Sequence, residues 1–344
     1  MQISTIGLDL AKRVFQVHAV DEAGVVMMRR KLRRAQVLPF FAGLERCLVG
    51  LEACGGAHYW ARELMALGHD VRLLPPAYVK PYVRRQKNDA ADAAAICEAV
   101  TRPSMRFVPV KTRQAQGVLA LHRTRALLVR QRTMLVNALR AHLSEFGHVA
   151  PQGRVGLSAL VGLLKQPAEA IGIPAVAASA LASLAQQIER LREEIGGLER
   201  VIRAEHANDA ASRRLATIPG IGPLIASAIV ATVSDPSVFR SGREFAAWLG
   251  LTPRQNSSGG KECLGPISKK GDRYLRSLLV VGATGLLRRR DALSARHRAW
   301  LEKLLNKKPA RLVSVALANK IARIAWAILL KGTTYRGGPL EASV

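Results

Sequence analysis

The sequence predicts an α/β domain with a mixed sheet over residues 1–112, a coiled-coil-like helical segment over 113–209 and a mainly α-helical region over 210–344. Three observations support this division. Short apolar runs alternate with helix-type segments in the first part. Leucine and isoleucine recur at spacings of three and four residues in the second part. The third part has helical patterning except in one stretch, 252–271, that is rich in Gly, Ser and Pro.

The first part begins with a hairpin signal, because the turn-type residues Asp21–Gly24 separate two strand-type segments. A hairpin that leads into alternating helices and strands is typical of a mixed sheet in an α/β layer. In chain order, the predicted elements are strands at 5–11, 13–20 and 25–32, a helix at 36–46, a strand at 47–53, a helix at 59–67, a strand at 70–74 and a mostly helical segment at 79–100.

The middle segment predicts two long helices. Residues 114–146 lack Pro and carry leucines at helical spacing, and 175–208 carry an apolar stripe of the same kind. This stripe suits a helical hairpin inside one protomer or a seam between two subunits. Between the helices, 147–174 is broken by Gly and Pro, so we expect little helix there.

The net charge predicts a polyanionic partner. The chain has 52 Lys and Arg against 25 Asp and Glu, a formal net charge of +27. Residues 210–344 alone hold 23 basic and 7 acidic side chains. Nucleic acid is the expected partner, ahead of an anionic membrane, and a well-solvated surface is the alternative.

Other patterns argue against secreted, membrane and zinc-binding classes. An acid lies within the first ten residues and no apolar core of a signal peptide follows it. The longest apolar stretch, Leu312–Leu330, is interrupted by Lys320 and Arg323, so we expect no membrane span. The four cysteines form no C-x-x-C pair. We therefore expect a soluble cytoplasmic protein.

Four acids occur where ligands of a hard cation belong. Asp9 and Glu52 each end an apolar strand-type segment, and Asp89 and Asp92 share one face of a helix. Carboxylates in such an arrangement suit a pair of Mg²⁺ ions, which assist phosphoryl transfer. Each acid also has an ordinary interpretation. Asp9 is also suited to capping a turn, and Glu52 is suited to an ion pair with an arginine. Asp89 is suited to the N-cap position of a helix, whose dipole favours Asp92 in the first turn.

Two further motifs lie in the basic third part. Gly220 and Gly222 form a P-G-I-G turn between helices, which suits a phosphate oxygen or is an ordinary helical hairpin. Residues 256–261 predict a flexible loop that brings a serine hydroxyl close to a backbone phosphate. A serine in such a loop is usually only a turn residue.

These motifs together resemble one family. The sequences IGLDLAK at 6–12, VGLEACGG at 49–56 and QKNDAADAAAI at 86–96 resemble the three acidic motifs of DEDD-type insertion-sequence transposases. The N-terminal domain of those enzymes resembles the RuvC junction resolvase, which has an RNase H-like fold. The order PGIG, WLGLTP, SSGGK and ISKKGDRYLR is similar to their C-terminal domain, where the serine before a glycine is the nucleophile.

The resemblance implies functions for these residues. It implies that Asp9, Glu52, Asp89 and Asp92 bind catalytic Mg²⁺, with two ions expected and Mn²⁺ as an alternative. It also implies that Ser258 attacks DNA, with Ser257 as the nearby alternative. We expect a phosphoserine link, which would conserve the energy of the phosphodiester. Because Asp92 and Ser258 are far apart in the chain, the second domain folds over the first or reaches across from another subunit; the resemblance implies the latter.

The resemblance also implies partners. These are donor and target DNA, a structured non-coding guide RNA, and further copies of the chain in a dimer or tetramer. Two other functions stay open: a junction-resolving nuclease that uses water, and a non-catalytic nucleic-acid binder. The residues expected to contact phosphates, each of which also suits solvated surface charge, are Arg29, Arg30, Lys31, Arg33, Arg34, Arg84, Arg85, Lys87, Gly220, Gly222, Lys261, Lys269, Lys270, Arg273 and Arg276.

Overall fold

A computed structural model of the chain describes residues 2–83, 88–261, 263–292 and 295–336. The chain forms two compact units, Met1–Thr112 and Arg113–Val344. The further division of the second unit at residues 209 and 210 stays a prediction.

The first unit contains a five-stranded mixed sheet, as the sequence predicted. Its strands are β1 (Thr5–Asp9), β2 (Val14–Val20), β3 (Val26–Arg33), β4 (Leu48–Glu52) and β5 (Asp70–Leu74). Their order in space is β3-β2-β1-β4-β5. The first three strands pair antiparallel, while β1, β4 and β5 run parallel.

Helices cover both faces of this sheet. They are α1 (Val37–Ala42), α2 (Ala57–Ala66), α3 (Pro76–Val79) and α4 (Asp89–Val100). The expectation of a mostly helical segment over 79–100 is confirmed for the described residues, since helical turns at Pro76–Val79 and Lys80–Tyr82 and the helix α4 occupy most of them, although Val83 is extended. Asn88 caps α4, since its side chain accepts a hydrogen bond from the backbone N–H of Ala91 at 2.8 Å.

The strands alternate their side chains between two cores. Apolar residues of β1, β2 and β4 pack on one face with α1 and α2. On the other face, Gly7 and Gly50 lie directly under α4. A Cβ atom added to Gly7 would lie 2.8 Å from the Cβ of Cys97, and one added to Gly50 would lie 2.9 Å from the Cβ of Val100. The two glycines therefore allow α4 to approach the backbone of the sheet.

The second unit is mostly helical, as the sequence predicted. Its elements are α5 (Arg113–Ser144), α6 (Arg154–Leu163), α7 (Ala175–Asn208), α8 (Ala210–Ala216), α9 (Pro223–Thr232), α10 (Gly242–Trp248), β6 (Pro253–Gln255), β7 (Leu264–Ile267), α11 (Arg273–Arg288), α12 (Ala295–Leu305) and α13 (Ala310–Lys331). The stripe on α7 is covered within the chain, since Leu181 and Ile188 share a core with Leu139 and Leu143 of α5.

Two local expectations in this unit were wrong. The segment 147–174 contains α6, because its residue Leu160 joins the core between α5 and α7 and so stabilises a helix that Gly and Pro only delimit. The stretch 252–271 contains a two-stranded ribbon formed by β6 and β7. Its backbone hydrogen bonds are satisfied by pairing, which an irregular loop would leave to water.

Among the described residues, one helix, α13, is long and apolar enough to span a membrane by length and composition. Residues along it, including Val313, Leu317, Ile321 and Ala325, are buried in the core of the second unit. Burial within the protein therefore accounts for its apolar sequence.

We predict that Gly7→Ala lowers the free energy of unfolding by about 3 kcal/mol, because the added methyl group meets the backbone of α4. Chemical denaturation of the full chain measures this change. Gly55→Ala is the matched control, because nothing lies within 4 Å of a Cβ atom added there. Equal stability of the two variants would contradict the close approach of α4 to β1.

Candidate active site

Three of the four predicted acids come together at one edge of the sheet. Asp9 is the last residue of β1, and Asp89 and Asp92 lie in the first turn of α4. One carboxylate oxygen from each of the three lies within 4.8 Å of the others. This separation fits a cation that binds all three, because hard divalent ions take carboxylate oxygens at about 2.0–2.6 Å.

The capping of α4 explains why two carboxylates are available for this cluster. Asn88 is the N-cap residue, and its side chain accepts the hydrogen bond from Ala91. The alternative interpretation of Asp89 as the N-cap is therefore wrong. Asp89 and Asp92 occupy the first turn, where the helix dipole favours negative charge.

The fourth acid, Glu52, lies on the neighbouring parallel strand. Leu8 of β1 pairs with Leu51 of β4, so Asp9 and Glu52 end adjacent strands. Gly50, two residues before Glu52, lies under α4, so strand alternation places Glu52 on the α4 face as well. The carboxylate of Glu52 is not among the three that lie within 4.8 Å of one another, but its negative charge raises the pKa of Asp9.

The crowding of negative charge changes the acidity of Asp9. Burial is the main cause that raises the pKa of Asp9 to about 6, and the negative charges of Asp92, Asp89 and Glu52 contribute to the same increase. A hydrogen bond from the backbone of Leu10 acts in the opposite direction. An unneutralised carboxylate is therefore unfavourable at this position, and a bound divalent cation would remove the repulsion.

The basic residues of β3 divide between the two faces of the sheet. Arg29 and Lys31 pair with His18 and Gln16 of β2, and both are exposed. Their register places them on the α4 face, which also carries the acids. Arg33 follows the same alternation. This face therefore offers cations beside the acidic cluster.

The other two described arginines of this segment lie on the opposite face. The guanidinium of Arg30 lies over the ring of Phe40 at 5.7 Å, and that of Arg34 lies over Trp60 at 5.0 Å. Both contacts are cation–π interactions. The predicted contacts Arg84, Arg85 and Lys87 lie outside the described residues.

Ser258 lies at the tip of the ribbon, in a tight turn. Gly259 and Gly260 have φ of 55° and 77°, and the N–H of Lys261 donates to the carbonyl of Ser258 at 3.1 Å. Two successive positive φ angles are typical of the two-residue hairpin turn that matches strand twist. Residues 258–261 of the expected loop therefore form a β-turn.

The two serines differ in their contacts. The hydroxyl of Ser257 accepts a hydrogen bond from the backbone N–H of Cys263 at 3.2 Å, which ties the two strands of the ribbon together. Ser258 is exposed, and its hydroxyl makes no hydrogen bond to a described residue. Of the two, Ser257 therefore has a local structural contact, and Ser258 is exposed without one among the described residues.

The cations near the base of the ribbon have different environments. Lys269 and Lys270 are exposed, and so is Arg273 at the beginning of α11. Arg276, in contrast, donates to the carbonyl oxygens of Leu249 at 2.9 Å and Lys270 at 3.0 Å. Arg276 therefore fixes the base of the ribbon to α11, a contact that the sequence pattern did not indicate.

The P-G-I-G turn packs against the helices of the second unit. A Cβ atom on Gly282 of α11 would lie 2.3 Å from the carbonyl oxygen of Gly220 and clash with it, so Gly282 allows the close approach of α11 to the turn, in which Gly220 has a positive φ of 89°. Gly222 is exposed as the N-cap of α9, and Pro223 follows without an N–H group. Of the two glycines, only Gly222 lies on the surface at a helix N-terminus.

Two family models match the chain. A DEDD model described as "Transposase" matches residues 6–148, and a model described as "Transposase IS116/IS110/IS902 family" matches residues 212–298. A relative from Pseudomonas aeruginosa, named "Probable family 20 transposase", is 52% identical over 98% of this chain and 100% of its own length.

Two other relatives are named for mobile elements. The transposase for insertion sequence element IS1328 of Yersinia enterocolitica is 40% identical, over 97% of this chain and 98% of its own length. The transposase for insertion sequence element IS1111A of Coxiella burnetii is 40% identical, over 98% of this chain and 92% of its own length. The similarity therefore covers nearly the whole chain.

We predict that Asp9→Asn stabilises the metal-free protein at pH 7.5 by about 1–2 kcal/mol. Because the folded state raises the pKa of Asp9 to about 6, the ionised form opposes folding above that pH. Stability of the unmutated protein should thus rise as the pH falls from about 6 toward 4, where this group is protonated only in the folded state.

Thermal unfolding of metal-free protein measures this gain. The exposed Glu22→Gln, which removes the same charge away from the cluster, is the control and should leave the melting temperature unchanged. A loss of stability in Asp9→Asn would contradict the crowding of charge at this edge.

Proposed function

Because the chain belongs to the IS110/IS116/IS902 family of insertion-sequence transposases, we propose that it cuts and rejoins DNA strands through a phosphoserine intermediate that depends on Mg²⁺. The observation that carries the proposal is the joint presence of an acidic cluster and an exposed serine. Asp9, Asp89 and Asp92 bring their oxygens within 4.8 Å, and Ser258 presents its hydroxyl on a tight turn. A hydrolase that uses water has no need of the serine.

The acids would hold the cations. The donor set of Asp9, Asp89 and Asp92 fits a hard divalent ion, and Glu52 on the adjacent strand would complete the site for a second one. When bound, two Mg²⁺ ions, or Mn²⁺ as an alternative, supply charge stabilisation for the entering and leaving oxygens of an in-line phosphoryl transfer.

Ser258 would act as the nucleophile. Its Oγ forms a bond to phosphorus, its proton passes to the leaving deoxyribose oxygen, and the phosphodiester bond to that oxygen breaks. The hydroxyl of a second strand then attacks the phosphoserine, the Oγ–P bond breaks, and the serine regains its proton. The number of phosphodiester bonds is unchanged, so no energy-rich cofactor is needed.

The exposed cations would hold the DNA backbone. Arg29, Lys31 and Arg33 lie on the face of the sheet that carries the acids, and Lys261 follows the serine turn. Such contacts position phosphates without reading base sequence. The proposed contacts of Lys269, Lys270, Arg273 and Gly222 serve the same purpose, and Arg276 would act indirectly by fixing the ribbon.

We also propose that a structured non-coding RNA selects the donor and target sequences. The large positive charge, +27, supports binding of more than one nucleic acid, and the resemblance supports guidance by base pairing. The enzyme would act as a dimer or tetramer assembled on DNA in the bacterial cytoplasm, with the serine and the acids meeting on one phosphodiester.

We predict that Ser258→Ala abolishes the covalent protein–DNA link and leaves DNA binding within about twofold, because the hydroxyl carries the chemistry but not the charge. Digestion of a DNA-bound sample and mass spectrometry for a phosphoserine–nucleotide adduct measures the link. Ser257→Ala is the control and should keep the adduct at Ser258, with a less stable ribbon.

Two outcomes would overturn this mechanism. Nicking that survives Ser258→Ala and disappears in Asp9→Ala would show a nuclease that uses water. Absence of nicking and of strand exchange in the unmutated protein, together with nucleic-acid binding that Asp9→Ala and Ser258→Ala leave unchanged, would show a protein that only binds nucleic acid.

We predict that strand exchange between donor and target DNA needs RNA encoded by the element. Purified protein with both DNAs should exchange strands only when that RNA is added, and altering its pairing segment should redirect the target. Equal exchange with and without RNA would contradict the proposed guidance.

A further inference from the structure

One buried polar side chain beside the acidic cluster has no partner for its oxygen. Gln16 of β2 is 6% exposed, and its Oε1 makes no hydrogen bond within the described structure. Leaving a buried acceptor unsatisfied costs about 1–3 kcal/mol. An unsatisfied buried acceptor in a well-packed sheet indicates that a molecule or ion from outside the chain supplies its missing partner.

The strand register places Gln16 directly opposite Asp9. The two residues are Cα partners in the antiparallel pair of β1 and β2. Directly opposite residues of such a pair lie on the same face, with Cβ atoms about 4.5–5.5 Å apart. Phe15 and Val17 point into the core on the α1 and α2 face, so Gln16 lies on the α4 face with the acids.

The side chains around Gln16 specify which kind of group can bind its Oε1 atom. The carboxylates of Asp9, Asp89 and Asp92 accept hydrogen bonds when they are ionised and donate none. Lys31 is the next residue in the same row of the sheet, yet it does not bond to Oε1. An amide oxygen beside three acceptors is thus satisfied by a cation or by water bound to a cation.

We propose that Gln16 is a positioning residue of the metal centre, whose Oε1 accepts a hydrogen bond from a water molecule bound to the divalent cation that Asp9 holds. This inference rests on the proposed metal dependence of the enzyme. Mg²⁺ keeps several of its waters in protein sites, and partners outside the direct ligands fix the orientation of what the ion binds. Asp9, Gln16 and Lys31 lie side by side across β1, β2 and β3. Through its hydrogen bond, Gln16 thereby sets the position of the metal-bound water between Asp9 and Lys31.

The test measures binding of Mn²⁺ alone to the full chain without nucleic acid, by calorimetry and by the electron paramagnetic resonance signal of free Mn²⁺. We expect Gln16→Leu to weaken the affinity by about 10-fold to 100-fold. Its free energy of unfolding without metal should be equal to or above that of the unmutated protein, because the unpaired oxygen is gone. Gln16→Glu keeps an oxygen at this place and should bind Mn²⁺ at least as well.

Thr5→Val is the matched control. Thr5 is also buried on β1, at 6% exposure, but it lies at the opposite end of the strand and pairs with Val20. Its substitution should leave the affinity for Mn²⁺ unchanged. If Gln16→Leu does not fold, Gln16→Met, which is unbranched and lacks the amide oxygen, decides the question by the same measurement.

The outcomes separate this inference from the proposed function. If Asp9→Asn loses Mn²⁺ binding but Gln16→Leu binds as the unmutated protein does, the positioning role of Gln16 is wrong and the metal centre stands. If Thr5→Val weakens binding as much as Gln16→Leu, the effect is a general one on the sheet and the inference is also wrong. If Asp9→Asn binds Mn²⁺ unchanged, the metal centre itself is wrong.

Discussion

The close contact between α4 and the centre of the sheet is the constraint on which the acidic cluster depends. Gly7 and Gly50 lack the Cβ atoms that would separate the helix from β1 and β4. Ala93 and Cys97 therefore lie directly over Gly7, and the first turn of α4 reaches the end of β1. Without this approach, the carboxylates of α4 would be held away from Asp9.

The face of the sheet that lies under α4 carries acidic and basic side chains, and each kind suits a different ligand. The acids crowd together closely enough that the pKa of Asp9 rises to about 6, and such crowding suits a site that is neutralised by divalent cations. Arg29 and Lys31 occupy the outer strand of the same face, where cations suit the phosphates of a bound strand. Gln16 lies between the two groups and connects them in one row across the sheet.

The ribbon formed by β6 and β7 shows that a glycine-rich segment can have a specific backbone conformation. Gly259 and Gly260 adopt the positive φ angles of a hairpin turn, and Ser257 bonds across the ribbon to Cys263. At its base, Arg276 binds two carbonyl oxygens with one guanidinium. The turn holds Ser258, the proposed nucleophile, at a restricted position, so less conformational entropy would be lost in a reaction at its hydroxyl.

The sequence by itself determined the mixed sheet, the long helices, the basic character and the family, because hydrophobic periodicity and short motifs are local properties of the chain. It also indicated Asp9, Glu52, Asp89 and Asp92 as one group, of which the structure brings oxygens of Asp9, Asp89 and Asp92 within 4.8 Å of one another. Only the tertiary structure decided that Asn88 and not Asp89 caps α4, that Arg276 fixes the ribbon, and that the Oε1 atom of Gln16, which is buried opposite Asp9, has no hydrogen-bond partner in the described structure. These facts depend on strand register and on contacts between distant residues, which no local pattern encodes.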